Sequence, residues 1–319
     1  MEDFVTLDLA GLKIGHAAVE GHLTGSTVIL CPEGTVGGVD LRGPAPGSRE
    51  TALLGIDKPV HFINAIILSG GSAFGLAAAD GVMRYLAERN IGHPTLIKPI
   101  PIVPAAIIYD LFLSRGMAFP TAETGYAACL NAGDDDVAQG NAGVGLGATV
   151  GKWSATGGIM KGGVGIASHR EGDLVVGAAA VVNAMGDIVE SDGRVLAGAR
   201  NPNGGWMVNQ DPYRRFPEAP PAQLGMNTTL VVVYTNAVLS KVEANRLAQR
   251  AHDGLAISIR PVHTTHDGDI AFGLATGQVD AGFDMVTSFA VDIVAEAIRN
   301  GVRYAHSVGP IRGLADDTS

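Results

Sequence analysis

The chain has 319 residues, 46 % of them hydrophobic and 17 % charged, with a formal charge of −10 at pH 7. That is enough apolar material for a large core in one domain or two, and the acidic balance, with no basic run longer than Arg214-Arg215, excludes nucleic acid and anionic membranes as partners. The acidic start Met1-Glu2-Asp3-Phe4 is unlike a signal peptide, no apolar stretch approaches the ~18 residues of a membrane span, and Cys31 and Cys129 form no CxxC pair, so a cytoplasmic protein with reduced, buried thiols is expected.

Glycine is the compositional outlier: 44 residues, about twice the usual ~7 %, clustered beside apolar runs. The pattern predicts tight turns and close backbone approaches inside a mixed α/β fold. Along the chain, Ser26–Leu30 and Phe62–Leu68 read as core strands. Ala73–Arg89 follows Gly70-Gly71-Ser72 and reads as a helix ended by His93-Pro94, with an amino terminus suited to an anion. The run Gly143-Val144-Gly145-Leu146-Gly147-Ala148-Thr149-Val150-Gly151-Lys152-Trp153 fits no phosphate loop. Leu146 stands where a Walker A motif needs glycine and Trp153 where it needs Ser or Thr. A dinucleotide fingerprint is matched loosely, but no buried strand precedes it and no apolar helix follows. An exposed Lys152 is the plainer expectation; partly buried, it would lose its proton more readily and could move protons or hold an oxyanion.

Leu174–Val182 is a further strand, and Asn183 follows at its end, where a bare sequence reading makes it a turn residue. Asn201–Gln223 holds five prolines and reads as an exposed loop, either a linker or a segment that becomes a free carboxyl end. It leads to Gly225-Met226-Asn227-Thr228-Thr229 and the apolar run Leu230–Tyr234. An Asx or Thr turn could simply start this strand. If the Asn227–Thr228 bond were cut, however, Thr228 would carry a hydroxyl nucleophile and, in its new α-amine titrating near ~8, the base to activate it.

Ser240-Lys241-Val242-Glu243 is a capping box opening a helix through Arg250 to a terminating Gly254. Val286–Arg299 is amphipathic, with Gly301 after it. Between them, His263-Thr264-Thr265-His266-Asp267-Gly268-Asp269 admits three readings: metal ligands, a proton network, or a polar turn. No HExxH pair is present, and Asp267 and Asp269, set around one glycine, suit the orientation of an ammonium group. No repeat of 20 to 50 residues is evident.

Taken together, Asn227-Thr228-Thr229-Leu230, Ala251-His252-Asp253-Gly254-Leu255-Ala256 and Arg260-Pro261-Val262-His263-Thr264 through Asp267-Gly268-Asp269 resemble the DmpA-type aminopeptidases, whose relatives include NylC-type nylon-oligomer hydrolases. The likeness extends from Gly70-Gly71-Ser72-Ala73-Phe74-Gly75 through Ile108-Tyr109-Asp110 and Gly151-Lys152 to the carboxyl-terminal helix. The resemblance implies a four-layer αββα sandwich, similar to amino-terminal-nucleophile hydrolases but differently connected, spanning residues 1–319 as a single domain. It implies a precursor that cleaves itself between Asn227 and Thr228 into chains 1–227 and 228–319. Thr228 would then attack amides of small peptides, amino-acid amides or linear aminohexanoate oligomers through an acyl-enzyme. Lys152 and Tyr109 would assist proton transfer or position groups, Asn183 would donate to the oxyanion, and Asp267 and Asp269 would orient the Thr228 amine. Other members have a serine nucleophile, with serine and glutamate where Asp267 and Asp269 stand, so this chain is similar to the threonine branch. No cofactor or metal is implied, and a homo-oligomer, a tetramer or larger, is. Two alternatives stand beside this reading: acyl transfer of the ornithine acetyltransferase type, and an unprocessed scaffold that has lost the chemistry.

Overall fold

A strand alternates its side chains between two faces, and both faces of the central strands Ala65–Ser69, Leu174–Asn183 and Thr228–Ala237 are buried, which dictates sheets covered on either side. A computed structural model describes residues 4–5, 11–154, 157–210, 213 and 227–318. One five-stranded sheet contains β1 (Lys13–Ala18), β2 (Gly25–Leu30), β4 (Ser48–Arg49), β5 (Ala65–Ser69) and β6 (Ala105–Ile107), in the order β1-β2-β5-β6-β4. The other contains β3 (Val36–Leu41), β7 (Val164–Glu171), β8 (Leu174–Asn183), β9 (Thr228–Ala237) and β10 (Ile270–Val279), in the order β7-β8-β9-β10-β3. Each sheet has one parallel pair, β5 with β6 and β9 with β10, joined as a parallel pair must be by a crossover through helix.

Three apolar layers separate four layers of structure. Between the sheets lie Ile66 and Leu68 of β5 facing Ala179 and Val181 of β8 and Leu230, Val232 and Tyr234 of β9. The opposite residues of β9, Val231 and Val233, pack with Leu247 and Leu255 of α4 (Lys241–Ser258) and Val294 and Ile298 of α5 (Phe283–Arg303). On the outer face of the other sheet, Ala65 and Ile67 meet Val82 and Leu86 of α1 (Ala78–Ala87) and Ala128 of α3 (Ala122–Leu130). A one-turn helix, α2, covers Leu111–Ser114. The order is therefore αββα, as expected. Each fully buried Val, Leu or Ile in these layers contributes roughly 1.5–3 kcal/mol. Among the described residues no helix is long and apolar enough to cross a membrane.

Glycine explains where the predicted helices differ. α4 was expected to stop at Gly254, yet it runs on to Ser258. A Cβ at Gly254 would stand 2.7 Å from the Val291 carbonyl oxygen of α5, so this glycine is a close helix contact and not a terminator. Gly301 likewise lies inside α5, where a Cβ would stand 2.6 Å from Val182 Cγ2. The helix expected over Ala73–Arg89 starts as a 3-10 turn at Ser72–Ala77 and becomes α-helical only at Ala78. Gly75 presses on the Gly70 carbonyl there, leaving no room for a side chain. The strand expected over Phe62–Leu68 covers only Ala65–Ser69.

Candidate active site

Register brings the predicted residues together. β8 and β9 pair antiparallel with Asn183 opposite Thr228, and both side chains point to the inter-sheet side, in phase with Val181 and Leu230. On the other flank, the parallel pairing of Leu230 with Ile270 in β9 and β10 continues backwards as a bridge between Asn227 and Asp267. The Asn227–Thr228 bond thus lies between the end of β8 and the Asp267-Gly268-Asp269 turn.

Thr228 is 2 % exposed. Its hydroxyl donates to the Asn227 carbonyl oxygen at 2.5 Å, and the same oxygen accepts the Gly268 amide at 2.8 Å. The Asn227 side chain donates to the His266 carbonyl at 3.3 Å.

Asn183 is fully buried and its amide orientation is set by its neighbours. Oδ1 accepts from the Thr149 amide at 3.1 Å and from Lys152 Nζ at 2.8 Å. Two donors on one atom identify it as the oxygen, so Nδ2 is left as a donor, bonded at 3.3 Å to the Tyr109 carbonyl. Lys152 also donates to the Asn183 carbonyl at 3.1 Å. The plain expectation of an exposed lysine is corrected: Lys152 is largely buried, and burial lowers its pKa to about 7, opposed by the charge of Asp267. A neutral lysine is thus accessible near pH 7.

Both aspartates are inside the protein. Asp269 Oδ1 accepts the Thr229 amide at 2.7 Å, and Oδ2 meets His263 Nδ1 at 2.7 Å. Asp267 accepts from the Met185 amide at 3.3 Å and from the Thr264 amide and hydroxyl at 3.0 and 2.5 Å. Burial, and then the charge of Asp269, raise its pKa to about 6. Both carboxylates are thus held in one hydrogen-bonded network with Met185, Thr264, Thr229 and His263. Tyr109, Lys152, Thr149, Phe112, Leu113 and Ile159 line a narrow pocket of about 60 Å³ next to these groups. Tyr109 joins the cluster through its carbonyl. Larger depressions of about 520 and 370 Å³ lie elsewhere, beside Trp206 and between α4 and α5.

Several contributors carried little sequence signal. Lys161, fully buried, donates to the carbonyls of Gly145, Ala148 and Gly162 at 2.8–2.9 Å and thereby folds the glycine loop that ends in Lys152. Asp110 accepts the Gly71 amide at 2.6 Å, so the carboxylate at the glycine turn before α1 is the protein's own. Asp187 accepts from Trp153 Nε1, the Ala199 amide and the Tyr213 hydroxyl at 2.8, 2.7 and 2.8 Å, anchoring part of the proline-rich stretch expected to be wholly exposed; its residues 211–212 and 214–223, with Gly225 and Met226, lie outside the described residues. The Thr264–Asp267 spacing was a legible turn signal; the rest depended on tertiary contacts.

Comparison with known proteins gives the following. A model described as Peptidase family S58 matches residues 5–315. An uncharacterized aminopeptidase of Mycobacterium leprae is 44 % identical over 294 residues, covering 86 % of this chain and 79 % of the relative. A 6-aminohexanoate-oligomer endohydrolase of Paenarthrobacter ureafaciens is 34 % identical over 285 residues, covering 87 % and 76 %. Among solved structures, the L-aminopeptidase D-Ala-esterase/amidase of Ochrobactrum anthropi, described as a variant of the Ntn hydrolase fold, superposes with a TM-score of 0.70 at 21 % identity, covering 94 % of this chain and 85 % of the other. That likeness speaks to the fold.

Proposed function

The chain belongs to peptidase family S58, and on that premise we propose that it is a self-processing amide hydrolase whose nucleophile is Thr228, released as an amino terminus by cleavage after Asn227. The carrying observation is convergence: Asn183 and the Asp267–Asp269 turn flank Thr228 on its two sides, and Lys152 is hydrogen-bonded to Asn183. Once free, the Thr228 amine takes the proton of its own hydroxyl, and Oγ1 attacks the substrate carbonyl. Asn183 Nδ2 donates to the oxyanion, and Asp267 and Asp269 hold the ammonium that forms. Lys152, with its pKa near 7, passes a proton to the leaving amine, Tyr109 positions Asn183 through its carbonyl, and water resolves the acyl-enzyme. The small pocket lined by Phe112, Leu113 and Ile159 beside Lys152 would take the acyl chain of amino-acid amides, small peptides or linear aminohexanoate oligomers. We further propose one processed unit of chains 1–227 and 228–319, assembled as a cytoplasmic homo-oligomer.

Intact mass of purified protein tests this directly. The wild type is expected to resolve into two fragments, residues 1–227 and 228–319, and to hydrolyse aminoacyl anilides or aminohexanoate oligomers. Thr228→Ala is expected to stay whole and inactive. Normal processing of that variant would overturn the assignment.

A further inference from the structure

Cutting a peptide bond by its own threonine needs an oxyanion donor at the carbonyl being cut, a different oxygen from the substrate's. We propose that the backbone amide of Gly268 is this donor, an inference that rests on the reading of Thr228 as a self-processing nucleophile.

The Asn227 carbonyl oxygen accepts two hydrogen bonds, from Thr228 Oγ1 at 2.5 Å and from the Gly268 amide at 2.8 Å. Only the second survives the reaction. As Oγ1 bonds to the Asn227 carbonyl carbon it ceases to donate, its proton passes to the Thr228 nitrogen, and negative charge gathers on the carbonyl oxygen facing Gly268. The C–N bond then breaks, leaving an ester between Asn227 and Thr228 and a free amine. Water hydrolyses the ester to the Asn227 carboxylate and the Thr228 hydroxyl, so no other reactant is required.

The amide is held rigidly. The Ala45 amide donates to the Asp267 carbonyl at 3.2 Å, and the Arg42 and Gly43 amides donate to the Asp269 carbonyl, each at 3.1 Å. The Asp267 and Asp269 side chains are bonded to Met185, Thr264, Thr229 and His263. The Asp267–Gly268 peptide is therefore held at the residues on either side of Gly268, with its N–H directed at the Asn227 carbonyl. The position also demands glycine: a Cβ at 268 would stand 2.5 Å from the Ala45 carbonyl oxygen and 2.9 Å from Thr228 Oγ1. The motif Asp267-Gly268-Asp269 thus has a function at each of its three residues.

Replacing Gly268 by glycolate through nonsense suppression exchanges the N–H for an ester oxygen and adds no atoms. Mass spectrometry of the full chain over time should show cleavage slowed by about 100-fold or more, the usual cost of deleting one oxyanion donor. The ester also weakens the Asp267 carbonyl as an acceptor for Ala45, so lactate at position 45, which removes that neighbouring bond and leaves the Gly268 amide in place, is the control and should cleave within a few-fold of wild type. Wild-type cleavage in the glycolate variant, or equal slowing in both esters, would overturn the proposal. Cleavage of Thr228→Ala would instead overturn the reading beneath it, and the two failures are distinguishable in one experiment.

Discussion

Replacing Lys152 by methionine should stabilise this protein at neutral pH and destabilise it at high pH. Burial lowers the lysine from its ordinary value of 10.5 to about 7. At ~1.36 kcal/mol per pH unit, the folded state below pH 7 bears roughly 5 kcal/mol for holding that charge. The sign follows from linkage. Between about pH 7 and 10.5 the unfolded chain binds the proton more tightly than the folded one, so the charge cost is complete below pH 7 and vanishes as pH rises to 10.5. Methionine never bears it, but gives up two donations to Asn183, at 2.8 and 3.1 Å, worth about 1 kcal/mol each. The net expectation is a gain of about 3 kcal/mol at pH 7, a loss of about 2 kcal/mol at pH 10.5, and a change of sign near pH 9. Urea unfolding in a Thr228→Ala background keeps every sample as one covalent chain. Activity of Lys152→Met, measured in the processed enzyme, should meanwhile fall about 10²–10⁴-fold, as for loss of a proton-transfer group. A stability difference that keeps one sign from pH 7 to 10.5 would refute the burial argument.

Two further substitutions probe separate parts of the fold. His263→Ala leaves one oxygen of the buried Asp269 without its partner at 2.7 Å and should cost about 1–3 kcal/mol in urea unfolding and lower turnover; His263→Asn, which returns an N–H at a similar position, should recover most of both. Gly254→Ala should destabilise by about 1–3 kcal/mol despite alanine's better helix propensity, because the new methyl carbon meets a backbone oxygen of α5 at 2.7 Å; unfolding midpoints of the two proteins decide it, and a stabilised variant would show that α4 can move away.

Local pattern made the strands legible. The expected Ser26–Leu30, Leu174–Val182 and Leu230–Tyr234 fall within Gly25–Leu30, Leu174–Asn183 and Thr228–Ala237, since short, nearly unbroken runs buried on both faces have few alternatives. Helix ends were less legible because glycine carries two meanings. At Gly254 and Gly301 it permits contact between layers, which depends on a partner far away in sequence, and only tertiary structure separates that from a terminator. Thr228, Lys152, Asn183, Asp267 and Asp269 stand in legible sequence motifs, and the fold brings them together; Tyr109 joins them through its carbonyl, which no sequence pattern specifies. The support from Arg42, Gly43 and Ala45 was invisible, because it exists only through the pairing of β3 with β10 and the turn that precedes β10.

The order β7-β8-β9-β10-β3 places two strands from after residue 228 between strands from before it. A chain cut at Asn227–Thr228 would therefore consist of two interleaved pieces, neither holding this second sheet complete. Such pieces could separate only by breaking hydrogen-bonded ladders on both flanks at once, and rejoining them would become a bimolecular reaction. Processing at this bond would turn a protein that refolds by itself into one whose persistence is governed by its unfolding rate, and the uncut chain would be the only form able to find the fold at high dilution.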